Sequence, residues 1–147
     1  MLIAHLSDPH LQPPGKLYKG LVDSNAMFEA AIRHLQALDP QPDLVLLTGD
    51  IVEAGTDAEY DTAVEMLSRI RQPVLAIPGN HDDRETFRRR LGHLSGLAPS
   101  GPLHLAAGDF GPVRILGVDV TVPGAHHGDM DDAACVWLQA RLDEEPD

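Results

Sequence analysis

At 147 residues, with 43% hydrophobic and 23% charged side chains, the chain has the size and composition of one globular domain with a buried core. A formal charge of −12, from 11 basic against 23 acidic residues, disfavours adhesion to nucleic acid polymers or anionic membranes. It leaves room for a small phosphate-bearing substrate, because bound divalent ions reverse the local sign. The single cysteine, Cys135, excludes an internal disulfide and reads as a small core residue; no apolar run nears the roughly 20 residues a bilayer requires, and Asp8 interrupts the first run too early for a signal peptide, so a cytoplasmic location is expected.

A first strand is predicted over about residues 2–6, followed by a loop with Pro13, Pro14 and Gly15. Met27, Phe28, Ala31, Ile32, Leu35 and Leu38 recur at helical spacing, which predicts a helix over about 24–38 that Asp39-Pro40-Gln41-Pro42 terminates. A second strand covers about 43–48. Thr56-Asp57-Ala58-Glu59 is a capping box opening a helix whose inward face is Tyr60, Val64, Leu67 and Ile70. A third strand covers about 73–77, and Asp83 caps a third helix through Leu91. Beyond it, 103–106 and 113–118 read as strands joined by a turn around Gly108 and Gly111. A last helix, about Asp131–Leu142, carries Ala133, Val136, Trp137 and Ala140 inward and leads to an acidic tail. The alternation of strand and helix gives an α/β fold with a parallel βαβαβ core and right-handed crossovers, followed by a β-hairpin and a helix.

The three apolar strands Leu2–Leu6, Leu44–Leu47 and Val74–Ile77 each run into a polar cluster: Ser7-Asp8-Pro9-His10, Thr48-Gly49-Asp50-Ile51-Val52-Glu53 and Pro78-Gly79-Asn80-His81-Asp82. In parallel sheets ligands bind beyond the carboxyl ends of the strands, so these clusters are expected to meet. Carboxylate, imidazole and amide oxygen together suit manganese, iron, cobalt or zinc better than calcium. Asp8 and His10, two apart on an extended segment, leave it on the same side.

Asp8-x-His10, Gly49-Asp50-x-x-Glu53 and Gly79-Asn80-His81-Asp82, in this order, resemble the calcineurin-like metallophosphoesterase superfamily, in particular its bacterial class III cyclic-nucleotide phosphodiesterase and glycerophosphodiesterase branch. The similarity extends through Lys16-Leu17-Tyr18, Val22-Asp23 and Asp82-Asp83 and covers essentially the whole chain. The resemblance implies a four-layer α/β/β/α sandwich, of which this chain would be the N-terminal part. It implies two divalent ions, with Asp8 and His10 on the first, Asp50 bridging, and Asn80 on the second. The implied reaction is hydrolysis of a cyclic nucleotide or a glycerophosphodiester, a metal-activated hydroxide attacking phosphorus in line. His81 would stand beside the phosphate and stabilise charge or protonate the leaving alkoxide. Asp82 would orient a ligand or His81, or else cap the following helix. Arg84, Arg88, Arg89 and Arg90 read as a solvated helix face, with Arg84 the one candidate for a phosphate contact.

Family members are usually longer and carry a His-His-Pro and a Gly-His-x-His stretch that complete both metal spheres; neither is found up to Asp147. His126-His127 precede the last helix, and they read as a polar loop with a substitute ligand or substrate contact as the alternative. His5, His34, His93 and His104 read as structural or solvated. The expectation is therefore one phosphoesterase domain over 1–147, truncated before the C-terminal histidine motifs. It should hold at most one ion well, hydrolyse diesters poorly, and self-associate through an uncovered sheet face. The competing reading is a non-catalytic interaction module that retains the fold.

Overall fold

The computed structural model describes residues 1–110 and 113–144. Strand β1 (Ile3–Ser7) pairs in parallel with β2 (Leu44–Thr48), and β2 pairs in parallel with β3 (Val74–Ile77), in the order β1-β2-β3. Ile3 lies opposite Leu44, and Val45 opposite Val74. Continuous apolar runs form β2 and β3 because both faces of these strands are covered. Side chains of successive residues point to opposite faces. Val45, Leu47, Val74 and Ala76 enter the main core with Phe28, Ile32 and Leu35 of helix α1 (Ser24–Ala37) and Tyr60, Ala63, Met66 and Leu67 of α2 (Asp57–Leu67). Leu44 and Leu75 face the other way and meet Leu105, with Leu46, Ile77, Ala107, Phe110 and Ile115 packed around them.

That second layer is the antiparallel hairpin of β4 (Leu105–Phe110) and β5 (Val113–Gly117), with Leu105 opposite Gly117 and an irregular register between Ala107 and Phe110. The two layers approach closely at Gly117, where a Cβ would lie 2.8 Å from Ile77 Cγ2. The hairpin thus covers part of the sheet face that the sequence left bare. His5 of β1, opposite Leu46, is exposed. Burial of each Val, Leu or Ile side chain is worth roughly 1.5–3 kcal/mol, against a few tenths for intrinsic propensity, so packing decides these elements.

Polar side chains fix the helix starts. Asp23 accepts from Ala26 N at 2.9 Å, Asp83 from Thr86 N at 2.9 Å at the head of α3 (Arg84–Leu91), and Asp131 from Ala134 N at 2.8 Å at the head of α4 (Asp132–Asp143). Before α2 the buried Glu59 carboxylate accepts from Thr56 N at 3.0 Å, the N3-to-N-cap bond of a capping box, and also from the Thr56 hydroxyl at 2.9 Å.

Several expectations need correction. Met27 is 65% exposed, so the buried stripe of α1 is narrower: Phe28, Ile32 and Leu35 suffice for a helix that meets the core along one line. In α2, Ala63 and Met66 are inward and Val64 is outward. In α4 only Ala134 is buried; Val136 is 70% exposed and Cys135 is a surface thiol rather than a core residue. The physical reason is that α4 touches the body along one side only, where Trp137 lies against the His104 ring at 4.6 Å. Strand β1 is half-buried, because only Ala4 and Leu6 point to the core. Leu103 is buried but precedes β4, and the cap of α3 is Asp83, not Asp82. Gly108 falls within β4, whereas Gly111 of the expected turn and the end of the acidic tail, 145–147, lie outside the described residues.

Candidate metal centre

The three polar clusters leave the ends of β1, β2 and β3 and are laced together by the backbone. Asp8 N donates to Gly49 O at 3.2 Å, His10 N to Asp50 O at 3.0 Å, Leu11 N to Ile51 O at 2.9 Å and Gly49 N to Ile77 O at 3.1 Å. The His10 carbonyl is held from behind by the Ser24 hydroxyl at 2.8 Å. Asp8, His10 and Asp50 have φ of 51°, 43° and 40°. Non-glycine residues rarely adopt this left-handed region, and such conformations gather at functional sites. Gly79 approaches Asp50 so closely that a Cβ would stand 2.2 Å from both Asp50 N and Oδ1.

Ligand atoms of Asp8, His10 and Asp50 lie within 4.8 Å of one another. His10 Nδ1 is 2.8 Å from Glu53 Oε2, and its Nε2 is 3.7 Å from Asp50 Oδ2. Despite that proximity, neither His10 Nδ1 nor Glu53 Oε2 has a hydrogen-bond partner among the described residues, and both atoms are buried. The mixed oxygen and nitrogen set of Asp8, His10 and Asp50 could hold a divalent ion. The other oxygen of Asp50, Oδ1, accepts from His81 N at 2.9 Å. Asp50 therefore faces the Asp8–His10 loop with one oxygen and the Asn80–His81 loop with the other.

His81 Nδ1 lies 2.7 Å from the Glu53 carbonyl, which can only accept, so Nδ1 carries the proton and Nε2 is free. Its ring stands edge-on to His10 at 5.0 Å. Glu53 thus touches both histidines, a role sequence reading missed although the residue closes the Gly-Asp-x-x-Glu motif. Buried Asp82 accepts from Gly79 N at 2.9 Å, Ile51 N at 3.0 Å, Val52 N at 3.3 Å and Tyr60 Oη at 2.9 Å. It ties the Asp50 and Asn80 loops together. Burial pushes its carboxyl up to about 6, against the pull of these donors, and burial followed by the Asp82 charge raises the Tyr60 phenol as well.

Asn80 Nδ2 lies 3.4 Å from His126 Nδ1, and the His81 and His126 rings are 6.3 Å apart. The His126 loop, read as merely polar, comes to the site, while His127 is exposed. Arg84 pairs with Asp119 at 3.1 Å and donates through Nε to Thr121 Oγ1 at 3.1 Å. Its guanidinium is engaged by the protein itself. His34 and His93 are exposed, and exposed His5 bonds Thr48 Oγ1 at 2.7 Å through Nε2.

A parallel sheet whose strand ends bring Asp-x-His, Gly-Asp and Gly-Asn-His together agrees with the profile match over residues 1–145, by which this chain belongs to the calcineurin-like phosphoesterase family. The chain is 35% identical over 147 residues to the probable glycerophosphodiester phosphodiesterase GpdQ of Arcobacter nitrofigilis, covering 100% of this chain and 54% of the relative. It is 34% identical over 144 residues to a probable cyclic nucleotide phosphodiesterase of Rhodococcus erythropolis, covering 95% of this chain and 46% of the relative. It is 24% identical over 147 residues to the 3',5'-cyclic adenosine monophosphate phosphodiesterase CpdA of Escherichia coli K12, covering 99% and 51%. The chain spans about half the length of the curated relatives it matches. Among the described residues no helix is long and apolar enough to cross a membrane.

Proposed function

We propose that residues 1–147 form the part of a phosphodiesterase domain that supplies the first cation ligands, Asp8, His10 and Asp50, together with the second-site ligand Asn80. The substrate class is a small phosphodiester, either a cyclic nucleotide or a glycerophosphodiester, as the names of the relatives suggest. The observation that carries this reading is Asp50, with Oδ2 3.7 Å from His10 Nε2 and Oδ1 bonded to His81 N. A carboxylate directed to two loops is suited to join two ions, each of which, when bound, would supply positive charge against the phosphate and acidify water.

The protein's own groups do the rest. Through its carbonyl, Glu53 fixes the tautomer of His81, and its carboxylate stands beside both histidines. His81 then presents Nε2 to the substrate, where a protonated ring can donate to the leaving oxygen. Asp82 keeps the two ligand loops in register. Residues 1–147 by themselves hold one divalent ion well, because the first ion finds Asp8, His10 and Asp50 and the second finds only Asp50 and Asn80.

Elemental analysis and Mn²⁺ titration of the purified chain test this. The expected result is one ion per chain, lost in Asp50→Ala. Uptake unchanged by Asp50→Ala would overturn the proposal. Hydrolysis of an activated diester that survives that substitution would locate the chemistry elsewhere.

A further inference from the structure

Residues 120–129 form a closed arch. Thr121 and Gly128 pair as an antiparallel bridge, Asp129 N donates to Val120 O at 2.8 Å, and Ala125 N to Val122 O at 3.0 Å. Its foot is Asp119, whose side chain is fully buried and accepts from Leu103 N at 3.2 Å, Thr121 N at 2.9 Å and Thr121 Oγ1 at 2.6 Å. Arg84 closes the clamp. It pairs with Asp119 at 3.1 Å, donates through Nε to Thr121 Oγ1 and through Nη2 to Thr121 O. Arg84 opens α3, directly after Asn80-His81-Asp82-Asp83. The segment that carries Asn80 is thus also the segment that anchors the arch, and the far side of the arch returns His126 to Asn80.

A ring nitrogen facing an amide nitrogen is satisfied in only one way: the amide donates and Nδ1 accepts. With Nδ2 spent on His126, the oxygen of Asn80 is the group left for a cation. We propose that the 119–129 arch is a positioning device for Asn80. Arg84 and Asp119 clamp it, and His126 Nδ1 takes the Asn80 amide proton and commits Oδ1 to the ion. This rests on the reading of Asn80 as a cation ligand. It makes Arg84 a positioning residue that acts through the arch.

The contact is tested on metal-free protein by NMR of the Asn80 side-chain amide, which separates it from any question of catalysis. The Asn80 signals are expected to shift to free-amide values in His126→Ala, to stay near wild type in His126→Gln, whose Oε1 can accept, and to shift part of the way in Arg84→Lys. His126 is exposed, so its substitutions leave the fold intact. Mn²⁺ titration followed by electron paramagnetic resonance should show the weak second ion held about tenfold more weakly in His126→Ala, with the first ion unchanged and Arg84→Lys adding nothing further in the double variant. Asn80 signals unmoved by His126→Ala would overturn the proposal. So would Arg84→Lys changing melting temperature while Asn80 signals and Mn²⁺ affinity stay at wild-type values. An intact Asn80–His126 contact in a wild-type chain that takes up no second Mn²⁺ at saturating metal would overturn the cation-ligand reading of Asn80, and the ligand role proposed here with it.

Discussion

Position 79 has no room for a side chain: a Cβ would overlap both the nitrogen and the carboxylate of Asp50. Gly79→Ala is therefore expected to move the Asp50 loop, lowering stability by about 1–3 kcal/mol and abolishing ion uptake; urea denaturation and Mn²⁺ titration measure the two. Glu53→Gln should behave differently. Its carboxylate stands beside His10 and His81 rather than in the core, so ion affinity should fall about 10- to 100-fold with the melting temperature nearly unchanged. The comparison separates a residue that shapes the backbone from one that tunes a ligand. At this scale the meeting of Asp8, His10, Asp50, Asn80 and His81 was legible, because they belong to short motifs at the ends of strands that pair side by side. Glu53 stood out only as a spacing. His126 was legible only as a polar loop residue with a site contact as the alternative, since its partner is 46 residues away along the chain and a loop histidine carries no local signature.

At the level of elements, the contact between the parallel sheet and the hairpin depends on Gly117. Gly117→Val would push against Ile77 and Leu105 and separate the layers; a loss of about 1–3 kcal/mol is expected, read from the denaturation midpoint, with the spacing of the ligand loops preserved. The strands and their order along the chain were legible from the apolar runs, and the helix starts from Asp23, Thr56, Asp83 and Asp131. The buried faces were less so. Met27, Val64 and Val136 satisfy a helical period yet point to solvent, because periodicity tells which residues share a face and not how wide a strip the neighbouring layer covers. Cys135 followed the same error: a small apolar residue on a helix that touches the body along one side.

For the molecule as a whole, His104 makes stability depend on pH. Its Nδ1 accepts from Asp119 N at 2.9 Å, and burial lowers its pKa below the usual 6.5. The folded state then binds fewer protons than the unfolded state, so this contribution is complete above pH 6.5 and is lost as pH falls through the lowered value. Asp82, raised to about 6, has the opposite slope and adds stability as pH falls from 6 toward 3.8. The difference in melting temperature between wild type and His104→Gln isolates the histidine, and it should narrow on acidification below 6.5. Leu17, Leu21, Val22 and Met27 stand exposed in one stretch of chain, with Leu21 at 84%. The left-handed backbone at residues 8, 10 and 50 has one more consequence. Each such conformation costs the fold on the order of 1 kcal/mol, and glycine would remove that cost. A library of this chain selected only for surviving heat, in a chelator, should accumulate glycine at these positions first, gaining hardiness while discarding its chemistry.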